Sequence, residues 1–240
     1  SDLHLTEKRP DITQALFSFI QRECIKSDTP TSALYILGDF FEAWIGDDCS
    51  TSLTKEVKTH LKTITDAGID LYIMHGNRDF LIGPSFCEDI GAQLIDDGTI
   101  IHLNGKPTVL MHGDTLCIQD TQYLAFREVV RNPAWQGDFL SKPVSERLEI
   151  AQALRQKSQE SAADKSEYIM DVDQQEVSKT LNSKRCETLI HGHTHRPAIH
   201  TLTDPEGAHR YVLGDWDKYG WMIVADNSGI ELSKFLITKN

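Results

Sequence analysis

Four times along the chain a short aliphatic run stops at a glycine flanked by a residue able to bind a cation: LYILGD (34–39), LYIMHGN (71–77), TVLMHG (108–113) and TLIHGHTH (188–195). Such apolar runs, closed by a turn residue, predict buried strands at Leu34–Leu37 and Leu71–Met74, and the apolar spacing over Leu53–Ala67 predicts a helix between them. Alternating strands and helices are the grammar of an α/β fold. In a sheet of that kind the ligand-bearing loops leave the strand ends. Polar residues just past separate strands can therefore converge, while glycine permits a sharp turn and close backbone approach.

The chain opens on the same type of pair, Asp2 and His4, with no apolar run before it, which predicts that a native first strand precedes Ser1. Each piece alone is weak, because an isolated Asp-X-His or Gly-Asp is commonly surface or turn. The ordered set is not: Asp2-X-His4, Gly38-Asp39, Gly76-Asn77-Arg78-Asp79, His112-Gly113 and Gly192-His193-Thr194-His195. Two carboxylates about 4 Å apart repel by about 4 kcal/mol at an effective dielectric near 20, and buried imidazoles add a desolvation cost. Cations remove that objection. Oxygen and imidazole donors without thiolate suit manganese, with iron and zinc less selectively accommodated.

Composition narrows the classes. The 240 residues carry 24 basic and 36 acidic side chains, a net charge of −12, which argues against general nucleic-acid binding. No apolar stretch reaches the ~18–20 residues of a membrane span. Five cysteines, odd in number and never closely paired, indicate neither a disulfide framework nor a thiolate metal site, and suit a reducing cytosol. One stretch departs from the acidic background: between Leu124 and Lys157, Arg127, Arg131, Lys142, Arg147, Arg155 and Lys157 outnumber Glu128, Asp138, Glu146 and Glu149.

At these residues the chain resembles the calcineurin-like metallophosphoesterases, whose blocks read Asp-X-His, Gly-Asp, Gly-Asn-His/Arg, His-Gly and Gly-His-X-His. The longer stretches LYILGDFFEAWIGDD, HGNRDFLIG, MHGDTLCIQD, YIMDV and LIHGHTHRPAIH are similar to the branch of that family acting on UDP-2,3-diacylglucosamine in lipid A formation. The resemblance implies an α/β fold, a two-sheet sandwich flanked by helices, with core residues 1–120 and 170–240 and a helical lid inserted at 121–169. It implies two Mn²⁺ per chain. Asp2, His4 and His195 would hold the first, Asn77, His112 and His193 the second, and Asp39 would bridge them. His191 is expected to support the strand end, Asp79 to position its loop, and His60, His75, His102, His200 and His209 to be packing or surface residues.

Hydrolysis by a metal-activated water at the α-phosphorus is then expected, giving UMP and 2,3-diacylglucosamine 1-phosphate. Asp39, Asn77, Arg78, His112 and His193 are the expected catalytic set. Many relatives place histidine where Arg78 stands. A phosphate-monoester leaving group, with second pKa near about 6, departs without a strong general acid, and arginine offers a permanent charge and a planar fork for phosphate oxygens. The resemblance makes Asn77, Arg78, Asp120, Arg155, Ser158, Lys165 and His193 substrate contacts, and Ala162 replaces an asparagine of some relatives. Tyr123, Phe126, Trp135, Phe139, Leu140, Val144, Leu148 and Leu154, with a break at Pro143, suit acyl chains, and the basic flanks suit the anionic cytoplasmic face of the inner membrane. Two other classes stay open from the residues: a dinuclear enzyme acting on a soluble nucleotide pyrophosphate, and a scaffold that kept the fold without the chemistry. Oligomeric state is undetermined.

Overall fold

The structure, a computed structural model, describes residues 1–27, 29–163, 169 and 171–238. Two sheets form its centre. The first is wholly parallel, in the order β1 (Ala33–Leu37), β2 (Asp70–Met74), β3 (Gln93–Ile95). The second is mixed: β4 (Thr99–Leu103), β5 (Lys106–Leu110), β6 (Thr188–His191), β7 (Ala198–Thr203) and β8 (Glu206–Val212) lie in the order β4-β5-β6-β8-β7, with β5, β6 and β8 parallel. A hairpin, β9 (Tyr219–Asp226) with β10 (Gly229–Leu236), follows.

Three apolar layers hold these sheets. Helices α1 (Pro10–Phe19), α2 (Ser52–Asp66) and α3 (Pro84–Ile90) pack on the first sheet. The second helix buries Thr54, Val57, Leu61 and Ile64, one face at helical spacing, and starts at a capping box in which Thr51 and Thr54 satisfy each other's backbone N–H. Helix α7 (Gln174–Lys184), capped by Asp173, seats Val177 and Leu181 against Val109, Leu189 and Ala208 of the second sheet. Between the sheets lie Leu37, Met74, Leu110, Ile190 and Leu213. The first four of these stand at or next to the ends of β1, β2, β5 and β6, the strands formed by the four aliphatic runs, so one apolar floor supports all four glycine loops.

The opening segment runs beside residues 38–41: the N–H groups of Asp2, His4 and Leu5 donate to the carbonyls of Gly38, Asp39 and Phe40, and Leu5 bridges Phe41 in parallel. Three further helices, α4 (Thr121–Val130), α5 (Pro133–Ser141) and α6 (Val144–Ala163), occupy the region expected to be a lid, and the chain breaks at Pro143 between the last two.

Part of the expected lipid-facing set serves another purpose. Phe139 is buried, Trp135 stacks on it with centroids 5.1 Å apart, and Val144 also packs against the main core. An aromatic side chain gains more from that dry contact than from water. Phe126, Leu140 and Leu148 do stay exposed, as does Val129.

Candidate metal centre

The backbone of the loops is unusual. Among the described residues, seven other than glycine have positive φ, and five of them are Asp2, His4, Asp39, His193 and His195. That left-handed region is uncommon for side-chain-bearing residues, though Asp and His tolerate it better than most. The loops also interlock: a Cβ on Gly76 would fall on the Asp39 carboxylate, and one on Gly192 would fall on Ser1 and Asp2.

The side chains gather accordingly. Asp2, His4 and His195 place one donor atom each within 4.8 Å of one another, and so do Asp2, Asp39 and His112. His4 Nε2 and His195 Nε2 face each other at 3.4 Å. Asn77 Oδ1 lies 2.9 Å from His112 Nε2 and 3.0 Å from His193 Nδ1. Asp39 stands between the sets, with Oδ2 3.9 Å from His4 Nε2 and Oδ1 3.7 Å from His112 Nε2. All seven residues expected to bind metal are thus brought together, and Asp2 shares Asp39's position between the two sets.

Neighbours orient them. The Leu37 carbonyl accepts from His112 Nδ1 at 3.0 Å, turning Nε2 inward. Asp2 Oδ2 accepts the N–H of His193 at 2.9 Å, while its buried Oδ1 lies 3.4 Å from His195 Nε2. Asp79 accepts from the N–H groups of Gly76, Phe40 and Phe41, joining the loops after β1 and β2. Asp97 accepts the His112 N–H at 2.8 Å and the Thr115 hydroxyl at 3.1 Å.

The electrostatics are those of crowded, dry charges. Burial disfavours ionisation of Asp39 and raises its pKa. It opposes ionisation of Asp2 too, but the His195 hydrogen bond and the charge of His112 outweigh it and hold that carboxyl below the ordinary range. Burial likewise opposes charge on His112, yet Asp39, Asp2 and Asp114 more than offset it, and the imidazole rises to about 9. Burial, then the charge of His112, holds His193 at about 4. A buried carboxylate oxygen met, among the described residues, only by the His195 imidazole, paired carboxylates and inward imidazole nitrogens are a donor set that fits divalent cations.

Arg78 borders this cluster. Its N–H donates to Asp39 Oδ1 at 2.8 Å, and its guanidinium Nε, 3.9 Å from Asp39 Oδ2, is buried without a hydrogen-bond acceptor among the described residues. His191 lies behind the cluster: Nδ1 donates to the Gly192 carbonyl at 2.9 Å, and Nε2 accepts from Arg210 at 3.1 Å. Burial and then the Arg210 charge push its pKa down to about 3, so it is a neutral brace. His75 donates to the Ile82 carbonyl, His60 stacks on Phe17, and His102 and His200 are exposed.

The remaining expected contacts are placed unequally. Asp120 caps α4 by accepting the Tyr123 N–H. Ser158 is exposed on α6, and Lys165 lies outside the described residues. Arg155 pairs with Glu42, whose other oxygen is 3.2 Å from His4 Nδ1.

The basic stretch is not a free fringe. Arg127 donates to Asp114, which also accepts from the Tyr123 hydroxyl. Arg131 donates to the Gly76 carbonyl at 2.8 Å and lies over the Phe80 ring. Arg147, only 2% exposed, donates to the Ile45 carbonyl and pairs with Asp48. The expected phosphate- and membrane-directed charge is corrected at these positions. A partly buried guanidinium gains more from fixed carboxylates and carbonyls than it would left unpaired. Glu42, Asp48, Asp97 and Asp114 were missed in the sequence, because nothing local distinguishes them from surface acids except that Asp114 directly follows His112-Gly113.

No family model matches the chain. Curated relatives do. The UDP-2,3-diacylglucosamine hydrolase of Cellvibrio japonicus (strain Ueda107) is 48% identical over 233 residues, covering 97% of this chain and 95% of its own. The protein of the same name from Pseudomonas entomophila (strain L48) is 46% identical, covering 98% and 97%. That from Marinobacter nauticus (strain ATCC 700491 / DSM 11845 / VT8) is 48% identical, covering 95% and 92%.

Proposed function

The chain belongs to the UDP-2,3-diacylglucosamine hydrolases, and from that membership we propose that it cleaves the pyrophosphate of UDP-2,3-diacylglucosamine in lipid A formation. Water attacks the α-phosphorus, and UMP and 2,3-diacylglucosamine 1-phosphate are released. The observation that carries this reading is the meeting of two donor sets around Asp2 and Asp39 beside the Arg78 guanidinium.

In this reading Asp2, His4 and His195 would hold one Mn²⁺, Asn77, His112 and His193 would hold a second, and Asp39 would serve both. When bound, such cations would supply a lowered water pKa and positive charge for the phosphate oxygens. The rest falls to the chain's own groups. The His112 tautomer is fixed by the Leu37 carbonyl, and Asp79 holds the loops that carry Asp39 and Asn77. Arg78 brings a permanent charge to the pyrophosphate oxygens and stabilises what develops on them. Because the leaving group is a phosphate monoester, no side chain need protonate it. Asn77, His193, Asp120, Arg155, Ser158 and Lys165 complete the substrate contacts.

Residues 121–169 act as the inserted lid over a core of 1–120 and 170–240. Exposed Phe126, Val129, Leu140 and Leu148 support contact with acyl chains and with the cytoplasmic face of the inner membrane, where we place the protein peripherally. Among the described residues no helix is long and apolar enough to cross a membrane.

The test is hydrolysis of UDP-2,3-diacylglucosamine with Mn²⁺ in ¹⁸O-water. Label in UMP is expected; label in the sugar phosphate would overturn α-attack. Equal turnover of soluble nucleotide pyrophosphates, with no gain from acyl chains, would overturn the lipid substrate.

A further inference from the structure

Glu42 lies between the candidate centre and α6. One carboxylate oxygen pairs with Arg155, and the other is 3.2 Å from His4 Nδ1. That nitrogen is buried, yet no acceptor among the described residues lies in line with it, so the approach to Glu42 is close without being a directed hydrogen bond. The opposite nitrogen of the ring, Nε2, faces His195 and Asp39. Arg155 Nη1 is likewise buried without an acceptor among the described residues. The Glu42 N–H donates to the Leu5 carbonyl at 3.1 Å, which keeps the residue beside the segment that carries His4.

A metal-binding imidazole is set by what its second nitrogen meets: a carboxylate there fixes the tautomer and ring orientation and raises ligand basicity. We propose that Glu42 is a positioning residue for His4, held partly off line by Arg155 of α6, so that the helix and the cation site compete for one carboxylate. The inference rests on the reading of the centre as a cation site. Arg155 pulls on one oxygen, and the His4 contact is correspondingly unaligned. With that pull removed, the carboxylate turns onto Nδ1 and the centre binds its cation more tightly.

Titration of metal-free protein with Mn²⁺ alone tests it, with thermal melting of each variant as the check on folding. Glu42→Ala is expected to weaken Mn²⁺ binding about ten- to a hundredfold. Glu42→Gln, whose amide oxygen still accepts from Nδ1–H, loses less, and Arg155→Ala binds Mn²⁺ more tightly than wild type. Wild-type affinity in Glu42→Ala, or a loss in Arg155→Ala equal to that of Glu42→Ala, would overturn the proposal, the second result reducing Glu42 to a brace for α6. Wild-type protein that binds no Mn²⁺ would instead overturn the metal centre itself.

Discussion

The candidate centre and the helices α4–α6 are built on opposite terms. In the centre, Asp2, His4, Asp39, His193 and His195 are turned inward on left-handed backbone, a conformation costing about 1–2 kcal/mol per residue that persists only where surrounding structure over-determines it. The strand-end floor and the glycine contacts do so here. In the helices the backbone is ordinary, and Arg127, Arg131, Arg147 and Arg155 reach back to acids and carbonyls of the core. One region stores its constraint in the main chain; the other is fastened by side chains. Removing a donor from the first should therefore change chemistry, whereas removing Arg127, Arg131 or Arg147 from the second should change stability; Arg155, which reaches the edge of the centre through Glu42, is the exception.

The largest effect sharpens this division. Asp39→Ala should lower turnover by more than about 10⁴-fold and lower metal content, measured by steady-state assay and elemental analysis. Arg78→Ala should lower turnover by about 10²-fold with metal content near wild type; equal metal loss in both variants would break the assigned roles. Arg147→Ala, on the other side of the comparison, should cost about 1–3 kcal/mol of stability through a lost buried hydrogen bond and lost packing. Urea unfolding should show that loss while Mn²⁺ binding stays unchanged; a loss of metal instead would show that the helices belong to the centre.

The last test concerns His191. Its folded pKa, about 3, lies below the ordinary value of 6.5. Between those values the unfolded chain binds a proton that the folded chain does not, so stability falls as pH drops from about 6.5 toward 3, by about 1.4 kcal/mol per unit. His191→Asn should flatten the slope of unfolding free energy against pH by that amount. An unchanged slope would remove the neutral brace from the account.

Much of this was legible in sequence because it is local. The strand predicted at Leu34–Leu37 is observed over Ala33–Leu37, and that at Leu71–Met74 over Asp70–Met74. The helix predicted over Leu53–Ala67 spans Ser52–Asp66. Strand-end glycines pointed to loops that do converge. What stayed hidden depends on long-range pairing. The Arg210 that silences His191 sits on another strand, and Asp48, distant in sequence, receives Arg147. Aromatic residues in a short helix without a distinct apolar face do not announce which side meets core, so Trp135 and Phe139 read as lipid contacts and prove to be packing.

The floor of Leu37, Met74, Leu110 and Ile190 has one more consequence. Asp39 and Asn77 ride on the parallel sheet, whereas His112, His193 and His195 ride on the mixed one. An ion held by both groups would tie the two sheets together across that floor and add its binding free energy to the stability of the folded chain.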